Sequence, residues 1–291
     1  MKECFKKSWN YFKIKMNNIL YNQHFWIIIV IIFIVIFEYT KDIRIMIKMT
    51  GVPITPYFFT FFLSDYVVAS GVMKILILLG FVAVICNVSK MYQEKYYFII
   101  RTGYKAGVFG DALFIGAVSV IYAAIIYLFS IICFLPNLEF QLGWGKIIST
   151  LAYTDASVQY ASVFVINSRI IDIYNPVEAT LLSFTLLVLG CWMLGMLVYV
   201  VNVISNNKAL GIAIACILIL ISPIVIYYRI SALYWVSPMT WVSIGCLTPV
   251  LDSDYPSVFY AAGMFMLMLT VILIILNKHT ARMEIKGDYH G

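Results

Sequence analysis

The feature that most constrains this chain is a series of long, nearly uncharged apolar runs, typified by FWIIIVIIFIVIF over residues 25–37. A helix of about 20 mostly apolar residues crosses a hydrocarbon core about 30 Å thick. Lipid offers backbone N–H and C=O groups no partner, so such runs are satisfied only as helices. The runs predict spans at 20–39, 67–87, 112–135, 177–203, 209–228 and 257–276. Composition agrees, with 63% hydrophobic and 12% charged residues, where a soluble domain carries about 25% charged. The expectation is an all-α polytopic membrane protein with six transmembrane helices, forming a single domain over 1–291. Lysines precede the first run as in a signal peptide, but Glu38-Tyr39-Thr40-Lys41-Asp42 follows it in place of a small-residue cleavage site, so this span is retained.

Sidedness follows from Lys and Arg. One set of segments holds thirteen, at Lys2–Lys15, Lys90–Lys105, Lys208 and Lys278–Lys286. The other holds six: Lys41, Arg44, Lys48, Lys146, Arg169 and Arg229. The richer side is cytoplasmic, and an even number of spans places both termini there, in a plasma membrane. No basic patch is interleaved with base-stacking residues outside the spans, so nucleic acid is not an expected partner. The Lys-, Ile- and Tyr-rich composition points to an AT-rich bacterial genome.

Three segments outside the spans carry unusual patterns. Phe5, Trp9, Phe12 and Met16 recur on one helical face, which predicts a basic amphipathic helix over 1–18 lying in the cytoplasmic interface. The alternative is an ordinary basic flank that only sets topology. The cytoplasmic loop 88–110 mixes charge with Tyr96, Tyr97, Phe98, Ile99 and Ile100 and ends in glycines. Those side chains need an apolar surface, either membrane lipid or a docked protein. On the other side, residues 227–256 are aromatic and apolar, yet Pro238 and Pro249 cut them into pieces too short to span. That pattern predicts short re-entrant helices before the last span, with Trp235 and Trp241 in the interfacial belt. The stretch 136–176, with Trp144 and several tyrosines, is expected to pack on the outer membrane face.

Catalytic chemistry is hard to find. Gly145-Lys146 is followed by Ile147 and lacks the upstream glycine of a P-loop, so no nucleotide site is expected on this chain. His24, His279 and His290 form no ligand pair, the six cysteines form no CxxC, and no GxSxG elbow occurs. The expected catalytic, cofactor and metal sets are therefore empty. Cys133 and Cys246 fall on the same predicted side, where a disulfide would be conceivable. Lys74 is the main ionisable group inside a span, while Asp111 and Glu178 sit at span ends. An intramembrane lysine either lines a path or snorkels to water, and both readings stand. Ala112 with Gly116, and Gly211 with Ala215, have helix-packing spacing and are expected to knit the bundle.

The order of these parts resembles the permease subunit of ABC-2-type (type V) ABC transporters. Cys4 to Asn18 corresponds to the family's elbow helix, Gln93 to Gly107 to its coupling helix, and Ser231 to Leu251 to its short outer helices. Glu94, then Arg101-Thr102-Gly103-Tyr104-Lys105, resembles the family's coupling-loop motif, although Asp111 stands near the usual place of a lysine. The resemblance implies that Glu94, Tyr96, Tyr97, Ile100, Arg101 and Lys105 contact a separate ABC ATPase subunit, which binds the ATP. It also implies a dimer with a second copy or a paralogous permease. Trp235, Pro238 and Trp241 would form an outer gate; Lys74 is a path-lining candidate from its place in the span alone. ATP would close the ATPase pair, push the docked loops and shift the half-channels between states that each ligand binds unequally. The expected activity is export of a hydrophobic or amphipathic substrate: a peptide, an antimicrobial compound or a lipid-like molecule. Two alternatives remain at this level: a polytopic membrane enzyme, and a non-transporting sensor or immunity subunit of the same architecture.

Overall fold

The computed structural model describes residues 2–64, 72–88, 104–160, 164, 166–205, 207–228, 230–248 and 255–287. Regular structure among them is helical, apart from isolated bridges pairing Ile54 with Leu138 and Thr248 with Ser257. The longer helices are α1 (Lys2–Leu20), α2 (Gln23–Tyr39), α3 (Lys41–Thr50), α4 (Val72–Val88), α5 (Tyr104–Ile132), α6 (Gly145–Tyr153), α7 (Pro176–Ser205), α8 (Lys208–Tyr228) and α9 (Val258–Gly287). Four of them, α5, α7, α8 and α9, are long and apolar enough to cross a membrane. The chain is therefore a multi-pass, all-α membrane protein. Helices α2 and α4 are apolar but shorter, at 17 residues each, and residues 67–71 of the expected second span lie outside the described set.

Local chemistry explains the breaks. Helix α1 meets α2 at 61°, and Asn22 caps α2 by accepting the His24 backbone N–H at 3.0 Å. The Thr40 hydroxyl bonds back to Ile36 O at 2.9 Å as α2 ends. Gly51, at φ 63°, then closes α3 in the left-handed conformation that a Cβ disfavours. Between α5 and α7, Trp144, Ile147, Ile148 and Leu151 are buried. Trp144 packs its ring 5.5 Å from that of Phe61 and donates its indole N–H to Tyr174 O at 3.1 Å. That stretch thus joins the protein core as well as covering one end of the bundle.

The core runs along the bundle through Ile36, Phe81, Tyr122, Leu187 and Phe265, each 1% exposed or less. Tyr122 satisfies its buried hydroxyl by donating to Ile77 O at 2.6 Å. Outward faces are apolar instead of charged, as on α2 with Ile27, Val30, Ile31 and Ile34, which is the surface a lipid solvent selects. Gly116 does knit the bundle: a Cβ there would fall 3.0 Å from the Trp192 ring, whose N–H reaches Ala112 O at 3.2 Å. Cys133 and Cys246 are both free thiols.

One sequence boundary needs correction. The glycines near 107–110 suggest that the loop persists to Gly110, yet α5 already begins at Tyr104. Gly110 serves close approach inside a helix and makes no turn. A Cβ there would come within 2.8 Å of the Tyr11 ring and 3.1 Å of Ser8 O, so its absence lets α1 seat directly on α5. The packed face of α1 is also displaced from the aromatic stripe. Ser8, Tyr11, Lys15 and Ile19 are buried, while Trp9 stays 42% exposed. Phe12 and Met16 lie between the two faces, half-buried.

Candidate functional site

Lys74 occupies the first turn of α4 and is 1% exposed, so it does not snorkel. An ammonium removed from water costs several kcal/mol unless polar groups replace its hydration. Here Nζ donates to Ser222 Oγ at 2.8 Å and to Met239 O at 3.0 Å. Ser222 precedes Pro223, which sits inside α8 and has no N–H for its ladder. Thr240 Oγ1 lies 2.8 Å from Ser237 Oγ and 3.4 Å from Ser222 Oγ, extending the polar network. Lys74 therefore joins α4, α8 and the segment leading to α9.

That segment is a plug at one end of the bundle. It contains a short helix at Ser231–Tyr234 and a 3-10 turn at Ile244–Cys246, joined by turns. Met239, Thr240, Trp241 and Val242 have no exposed surface at all. Trp241 donates its indole N–H to Tyr234 O at 2.6 Å and stands edge-on to Tyr260 and Phe265 of α9. Trp235 is half-buried against Tyr260, whose hydroxyl donates to Trp235 O at 2.9 Å. Pro238, which lies between the two tryptophans in sequence, is buried. On α7, a Cβ at Gly190 would fall 2.6 Å from Val242 Cγ2, so the plug seats against bare backbone there.

The opposite end holds a second buried lysine. Lys15 of α1 is 8% exposed and forms an ion pair with Asp111 of α5, itself 1% exposed. Tyr199 of α7 donates its hydroxyl to the other Asp111 oxygen at 2.6 Å. The Lys15 ammonium also lies 4.7 Å from the centre of the Tyr11 ring, and Ser8 Oγ donates to Ala106 O at 2.8 Å. Burial works against the charged form of Lys15, but Asp111 and Tyr11 outweigh it, so its pKa stands above the ordinary lysine value. Burial, then the Asp111 charge, pushes the Tyr11 phenol up to about 12. At neutral pH the Lys15 ammonium is thus charged and the Tyr11 phenol neutral.

Of the residues singled out from sequence, Trp235, Pro238, Trp241 and Lys74 come together around the plug. Glu94, Tyr96, Tyr97, Ile100 and Arg101 lie outside the described residues. Lys105 falls in the first turn of α5, and its side chain is likewise outside them. Sequence reading missed the Lys15–Asp111–Tyr199 junction. Its signal was an aspartate set inside an apolar helix and a lysine one turn beyond Tyr11. It also missed Ser222, whose signal was a Ser-Pro step within a span. Among the described residues, no three His, Cys, Asp or Glu side chains gather where a metal could bind. No protein-family model, curated protein or solved structure matches the chain.

Proposed function

We propose that the chain is the transmembrane subunit of an ATP-driven exporter of the ABC-2 type. It would move a hydrophobic or amphipathic substrate, such as a peptide, an antimicrobial compound or a lipid-like molecule, out of a bacterial cell. The observation that carries this reading is the buried junction of α1 with the first turns of α5. Helix α5 follows directly on residues 89–103 of the expected coupling loop, so force applied to that loop would pass into a helix already fastened to α1 and α7. At the far end, the plug held by Lys74 supplies something for that movement to open. In this reading α1 is the elbow helix and 230–248 the outer gate.

The reading counts α2 and α4 as spans. At 17 residues and 1.5 Å per residue each reaches about 25 Å, the short end of the spanning range, and bilayers thin modestly around short helices. Six spans then return both termini to the cytoplasmic side of the plasma membrane, where the Lys and Arg majority belongs. Partners would be ABC ATPase subunits that hold the ATP, a second copy or paralogous permease, and membrane lipid. The test is the pair Tyr97→Asp with Ile100→Asp. The expected outcome is loss of ATPase co-purification and of transport; survival of both would refute docking through the loop.

A further inference from the structure

Beyond the plug and the junction, the end of the bundle that carries α3 holds a groove of about 430 Å³, lined by α3 and the C-terminal end of α5. Three cations of α3 reach it: Lys41, Arg44 and Lys48. With about 100° per residue, these three and Ile45 fall within one arc of about 100°, and Asp42 lies outside that arc. The other wall is apolar: Ile132 and Leu135 are 46% and 59% exposed, and Ile45 is 37% exposed. One ten-residue helix thus holds three of the six cations assigned to the non-cytoplasmic side, against the bias that keeps such charges off it.

Arg44 is held in place by Phe37. Its guanidinium carbon lies 3.4 Å from the Phe37 ring centre and one Nη donates to Phe37 O at 2.7 Å. Of the five N–H donors of a guanidinium, one is used on Phe37 O and the Nε–H is buried, which leaves the remaining Nη–H groups for an anion. Among the described residues, Glu38 pairs with Lys41 at 3.6 Å. What remains is a fixed guanidinium and a lysine above an exposed aliphatic wall, at the level where α2 and α5 end.

The geometry points to an anionic phospholipid as the occupant of this groove, its phosphate on Arg44, Lys41 and Lys48 and its acyl chains on Ile45, Ile132 and Leu135. Charge complementarity selects an anion, and the aliphatic wall selects one with an acyl tail over a water-soluble ion. The inference requires the groove at a membrane interface and does not depend on the exporter reading.

The test uses the full chain in nanodiscs containing phosphatidylcholine and phosphatidylglycerol in equal amounts, with the retained lipid measured by native mass spectrometry. The wild-type chain is expected to retain phosphatidylglycerol preferentially. Lys41→Gln with Lys48→Gln, both exposed positions, should lower that preference about thirtyfold, at roughly one interfacial charge contact each, with unchanged thermal unfolding. A control, Lys146→Gln with Arg169→Gln, removes the same charge from exposed positions outside the groove and should keep the preference. The proposal is overturned if the wild-type chain shows no preference or if both double variants lose it equally. Millimolar inorganic phosphate abolishing the preference would also overturn it, because the site would then take a soluble anion.

Discussion

Each end of the bundle buries a lysine, and the two are held by different chemistry. Lys15 faces a carboxylate that is itself bound by Tyr199, so three helices meet at a charged pair. Lys74 meets a serine hydroxyl and a main-chain carbonyl, and the carbonyl belongs to the plug. Removing one partner of a buried ion pair leaves an uncompensated charge and costs about 3–5 kcal/mol. A hydrogen bond from a charged group to a neutral acceptor is worth about 1.5–3 kcal/mol, and water can take the place of either acceptor. The first joint is thus the harder to break and the second the easier to remake.

The largest effect should come from breaking the charged joint. Asp111→Asn is expected to cost about 3–5 kcal/mol of stability and to free α1, so that trypsin cuts at Lys6, Lys7 and Lys13 much faster. Unchanged digestion of α1 together with unchanged thermal unfolding would show that the ion pair is not what docks it. Ser222→Ala removes one acceptor from Lys74 and should cost less, about 1.5–3 kcal/mol, leaving tryptic release of α1 as in the wild type. A cost equal to that of Asp111→Asn would erase the distinction between the two joints.

Much of the fold was legible because lipid imposes so narrow a rule. A run such as that from Phe25 to Phe37 has few alternatives to a helix, and α7 and α8 fall within two residues of their expected bounds. The start of α5 was not legible, because Gly107 and Gly110 carry a turn signal that close packing against Ser8 and Tyr11 overrides. The plug was half legible: prolines and tryptophans marked a broken apolar segment, but not that Trp241 and Val242 would be fully enclosed. The lysine partners were not legible at all. Lys15 and Asp111 lie 96 residues apart, and Lys74 lies 148 from Ser222 and 165 from Met239. No local periodicity pairs groups that tertiary packing alone brings together.

The central claim, that Lys74 pins the plug independently of the junction at the other end, is tested by a thiol already in place. Cys246 belongs to the plug and is 9% exposed, so its reaction with a membrane-impermeant maleimide reports opening. Lys74→Met keeps side-chain bulk but removes the donor, and labelling of Cys246 should rise about tenfold or more, as expected for losing a charged hydrogen bond. Asp111→Asn should leave that rate unchanged. Wild-type labelling in the Lys74 variant, or an equal rise in the Asp111 variant, would contradict the account.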